Sequence, residues 1–153
     1  MIHSTTGLIH TIFAVLAMAF GAVVLLRTKG DLIHKRMGYA YVVCMLGLNG
    51  TAFAIYNFGG FSVFHGFAVV SLAALTAGMI PAIKRSKNWF RRHFYFMNWS
   101  VVGLYCAFWA ETGTRLLEGQ HFWWVVAFAS FGTAMVGMVL INKKAKVLFS
   151  AED

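Results

Sequence analysis

Charge placement constrains this chain more than any motif in it. Of its 13 lysines and arginines, all but Arg115 fall in three short clusters. These are Arg27, Lys29, Lys35 and Arg36; then Lys84, Arg85, Lys87, Arg91 and Arg92; then Lys143, Lys144 and Lys146. Between them run apolar stretches of about the 17 to 25 residues that one membrane crossing needs. Basic clusters alternating with such stretches are what the positive-inside rule produces. The sequence therefore predicts an all-α integral membrane protein, multi-pass, in the inner (cytoplasmic) membrane.

The same placement excludes nucleic acid as a partner. A net charge of +8 would suit a polyanion, but the cations line no single soluble face. Charged residues make up only 12% of the chain, against roughly a quarter in a soluble domain. The length fits one unit, a single membrane domain over residues 1–153. Cys44 and Cys106 both lie inside apolar runs and read as small packing residues, neither a disulfide framework nor a metal motif.

The pattern gives five spans, at about 7–26, 37–58, 62–83, 92–110 and 121–141. The second helix is expected to start before its apolar stretch, with Asp31 as its N-cap. "NFGGF" (Asn57 to Phe61) reads as a turn. No cleavable signal is expected, because Arg27 and Lys29 follow the first apolar run at once. They hold that end in the cytoplasm, so the N-terminus faces out and the C-terminus in. With five spans all three clusters share one side, leaving only Glu111, Arg115 and Glu118 on the other. Trp89 then falls at the inner interface and Trp109, Trp123 and Trp124 at the outer one. Trp99 lies deeper, as packing bulk. Asn49 and Asn98 are expected to hydrogen-bond between helices. The architecture is a four-helix core with a fifth helix alongside.

On this topology the histidines form a pattern. His10, His34, His65, His93 and His121 each lie in the first turn or two of a different span. His10 and His65 come to one level near the outer face, His34 and His93 to one level near the inner face. Two imidazoles from like-directed helices at equal depth, twice, match two haem b groups with paired histidine ligands. The tiers would stand roughly 20 to 25 Å apart by helix rise. Lys35, Arg36, Arg91 and Arg92 are candidate propionate partners on the inner side, Arg115 on the outer. The function this predicts is transmembrane electron transfer, with a quinone or another membrane redox subunit as partner.

Plainer readings stand beside it. Histidine sits well at headgroup depth, and a cofactor-free structural or assembly subunit accounts for the same residues. His10, His65, His121 and Glu111, with His3 nearby, form a second candidate centre for zinc, copper or non-haem iron. Glu111 and Arg115 also read as an i,i+4 ion pair. The "HKR" and "RRH" clusters suit the phosphates of anionic inner-leaflet lipids, or a quinone headgroup.

At "LIHKRMGYAYV" the chain resembles a bacterial family of predicted membrane proteins called domain of unknown function 2306. The likeness rests on His34, Lys35 or Arg36, Gly38, Tyr39 and Tyr41, then on His93 with Met97, and on Arg115. His10 matches an early histidine in the first span. The resemblance covers most of the chain and implies the fold and these marked positions. It implies no reaction.

Overall fold

The computed structural model describes residues 4–56, 60–117 and 121–150. It contains five helices: α1 Thr5–Leu26, α2 Leu32–Ala52, α3 Val63–Lys84, α4 Trp89–Leu116 and α5 Phe122–Phe149. Local chemistry sets their ends. The Ser4 side chain accepts from the Gly7 N–H to start α1. The Asp31 carboxylate accepts from the His34 N–H at 2.6 Å and starts α2 five residues before its apolar run. Arg85 closes α3 in the left-handed conformation, φ 50°. Residues 57–59, most of the expected turn, lie outside the described part, as do His3 and Glu118.

Consecutive helices run antiparallel. α1 packs along α2, α3 along α4 and α5 along α4, with lighter contact between α2 and α3 and between α1 and α4. Helices α1 to α4 thus close into a ring with α2 and α4 on one diagonal, and α5 rides on the outside of α4. Inside the ring lie Ala17, Tyr41, Met45, Leu48, Leu75, Met97, Val101 and Leu104. Small residues let the backbones approach, as membrane helices require. A side chain at Gly47 would meet the Phe13 ring at 2.6 Å, and one at Gly137 would meet Val102 at 2.5 Å.

The outside of the bundle is apolar. Val15, Val43, Val70, Phe128 and Val139 are all exposed, an arrangement stable only against lipid. α1, α3 and α5 are each long and apolar enough to cross a membrane. α2 and α4 open on basic turns, and they lie against those three along their lengths. The antiparallel order gathers all three cation clusters at one end of the bundle, called here the basic end.

Several details depart from expectation. α2 ends at Ala52, and α5 continues to Phe149. Phe149 packs on Phe90, Phe94 and Tyr95, so much of the expected tail is helix. Trp99 turns partly outward, 38% exposed, rather than filling the core. Asn49 does bridge helices, to Ser71 of α3 at 3.2 Å. Asn98 instead donates to the Phe94 carbonyl of its own helix.

Candidate functional site at the basic end

Tyr41 of α2 and Ser100 of α4 share a buried hydrogen bond of 2.8 Å across the diagonal of the ring. Seven residues earlier on each helix stand His34 and His93. Seven residues are almost two full turns, so each histidine lies on the same face as the residue above it, about 10 Å closer to the basic end. The register therefore puts the two histidines at one level on the same diagonal, and the His93 charge reaches His34.

Their hydrogen bonds define their chemistry. The His93 Nδ1 lies 3.1 Å from the Gly78 carbonyl of α3. A carbonyl only accepts, so Nδ1 carries the proton and Nε2 keeps its lone pair. Histidine ligands of metals are oriented in this way. His34 approaches the Val24 carbonyl of α1, while its Nδ1 is buried with no partner among the described residues. Gly38, one turn above His34, has open space where a side chain would stand.

At the opposite end the expected pair behaves differently. The His10 Nδ1 lies 3.0 Å from the Thr51 hydroxyl. That hydroxyl already donates to the Gly47 and Leu48 carbonyls, so His10 donates to it, and the ring also approaches the Leu48 carbonyl. Its charged neighbours are Glu111 and Arg115 of α4. His65 is 2% exposed, among the rings of Phe61, Tyr56 and Phe53. Its Nδ1 accepts the Ser62 N–H at 3.0 Å, closing a capping box at the start of α3. The neutral ring then carries its proton on Nε2, which is buried without a partner.

The remaining candidates separate. Glu111 pairs with Arg115, which donates from Nε at 3.1 Å and again from Nη2; the i,i+4 reading accounts for it. His121 is an exposed N-cap of α5 in the left-handed conformation, φ 55°. Among the described residues no three His, Cys, Asp or Glu side chains converge as a metal site, so the structure does not bring His10, His65, Glu111 and His121 together. Lys35, Arg36, Arg91 and Arg92 are exposed around the basic end, with Arg91 lying over the Phe149 ring.

Sequence reasoning missed the cation that turns inward. Lys29 folds back so that its Nζ donates to the Val24 carbonyl at 2.7 Å and the Leu25 carbonyl at 3.2 Å. Lys144 of α5 donates to the same Leu25 carbonyl. Burial, and then the neighbouring Lys144 charge, pulls the Lys29 pKa down to about 8. The charge of Lys29 reaches both His34 and His93. A lysine just past a helix C-terminus is a recognisable C-cap signal.

Fold and site together define a helical membrane bundle with a histidine pair set between diagonal helices. The chain belongs to the family described as "Predicted membrane protein (DUF2306)", which matches residues 7–143. No curated protein and no solved structure matches it.

Proposed function

We propose that this chain is a five-span inner-membrane protein that holds one haem b at its basic end between His34 and His93, and serves electron transfer there. All five helices cross, with the N-terminus outside and the basic end in the cytoplasm. The length of α2 supports this, since 21 residues rise about 31 Å, the thickness of a hydrocarbon core. The gathering of the cation clusters supports the orientation.

The observation that carries the haem reading is the register of His34 and His93 below the Tyr41–Ser100 bond. The residues fit the group in three respects. His93 is held in the ligating tautomer by the Gly78 carbonyl. His34 presents an orphaned buried nitrogen. Gly38 leaves space beside it. When bound, haem b supplies one-electron chemistry at a potential set by its axial ligands and by burial. The protein's part is to fix the two imidazoles, close the inner side with the Tyr41–Ser100 pair, and offer cations at the rim. Lys35, Arg36, Arg91 and Arg92 suit propionates or lipid phosphate there. A quinone or a redox subunit suits the partner role.

A second haem between His10 and His65 does not fit. The Ser62 N–H occupies the His65 Nδ1 and leaves the proton on Nε2, so ligation there would break the α3 capping box.

The test is a reduced-minus-oxidised spectrum of protein purified from haem-replete cells. We expect a haem b signal that disappears in His34→Ala and in His93→Ala but persists in His65→Ala. Absence of porphyrin from the wild-type protein, or a signal that survives both inner substitutions, would overturn the proposal.

A further inference from the structure

Lys29 and Lys144 set a problem in electrostatics. Two half-buried ammonium groups share the Leu25 carbonyl, near enough that Lys144 depresses the pKa of Lys29. The negative end of the α1 dipole offsets part of this charge. Among the described residues no carboxylate offsets the rest. The acids among the described residues are Asp31 and Glu111. Asp31 is bound to Arg27 and to the His34 N–H, and Glu111 sits at the other end with Arg115. An ammonium has three donors; Lys29 spends two on carbonyls and Lys144 one, so donors remain for an oxyanion.

Directly beside this pair a trough opens. α1 and α5 flank the same side of α4, and the space of about 530 Å³ between them is lined by Leu25, Val101, Tyr105, Gly132, Val136 and Leu140, among others. Leu140 lies one helical turn before Lys144, so the ammonium groups stand at the mouth of the trough. From Leu140 to Gly132 it runs about 12 Å by helix rise. Gly132 has nothing within 4 Å of where a side chain would begin, which keeps the trough open.

We propose that this trough and its two lysines bind one anionic phospholipid, with the phosphate on Lys29 and Lys144 and an acyl chain laid between α1 and α5. Free phosphate would match the mouth alone, and a neutral lipid the trough alone. An anionic lipid matches both, with the charge at the end where the chain begins. The two lysines and the trough carry this reading without the histidines, so it does not rest on haem.

The test is native mass spectrometry of the full chain extracted from vesicles of equal phosphatidylglycerol and phosphatidylcholine. We expect one retained phosphatidylglycerol, preferred by roughly tenfold or more, the scale of two cations at a membrane surface. The Lys29→Gln/Lys144→Gln double variant should lose that preference, and so should Gly132→Leu, which fills the trough at an exposed position and leaves the lysines in place. Lys84→Gln/Lys87→Gln, which removes two exposed cations of the same end, should keep it. Equal retention of the two lipids, or undiminished preference in either site variant, would overturn the proposal. So would inorganic phosphate that raises the melting temperature as far as phosphatidylglycerol does.

Discussion

His93 and His65 both open helices, yet their neighbours give them opposite chemistry. A carbonyl beside Nδ1 leaves His93 a bare Nε2, whereas a backbone N–H beside Nδ1 leaves His65 a protonated one. Which ring nitrogen keeps its lone pair is decided here by one hydrogen bond on the far side of the ring. Lys29 shows the same sensitivity to surroundings. Its pKa falls from the usual 10.5 to about 8, so over that interval the unfolded chain binds more protons than the folded one. Stability therefore rises with pH from about 8 toward 10.5 as the folded protein sheds a charge confined beside Lys144, His34 and His93. In delipidated protein the melting temperature should climb across that interval, and Lys29→Met should flatten the climb. A profile with the same slope in both proteins would show that Lys29 is not the titrating group.

Between elements, glycine decides how close two helices come. A methyl group at Gly47 would strike the Phe13 ring, while one at Gly103 would meet open space. Gly47→Ala should cost about 1–3 kcal/mol by overpacking. Gly103→Ala should be neutral or gain up to about 1 kcal/mol from helix propensity. Thermal unfolding of the two variants in one detergent checks the contrast. The apolar stretches and the cap at Asp31 were legible in the sequence because hydropathy and N-cap chemistry act locally. The extension of α5 was not, because Phe149 is held by Phe90, Phe94 and Tyr95 more than fifty residues away. The level of His34 and His93 followed from counting helix rise. The inward turn of Lys29 did not, since a rule that counts cations treats each alike. The capping role of His65 had a visible signal in its spacing three residues after Ser62.

Across the whole molecule, the proposed orientation in a bilayer rests on the gathering of the cations at one end. Cysteine placed at Ser4 and at Ser150, in a chain with Cys44 and Cys106 replaced, should react with a membrane-impermeant maleimide from opposite sides, Ser4→Cys from outside. Labelling of both from one side would require an even number of crossings and remove the five-span arrangement. Most contacts join helices adjacent in sequence, so the bundle can assemble in the order of its synthesis. The hydrogen bond from Lys144 to Leu25 is different, for it reaches across 119 residues. It acts as a clasp that only α5 can fasten. Until α5 arrives, the Leu25 carbonyl lacks that donor, and α1 thereby carries a chemical record of whether α5 has docked.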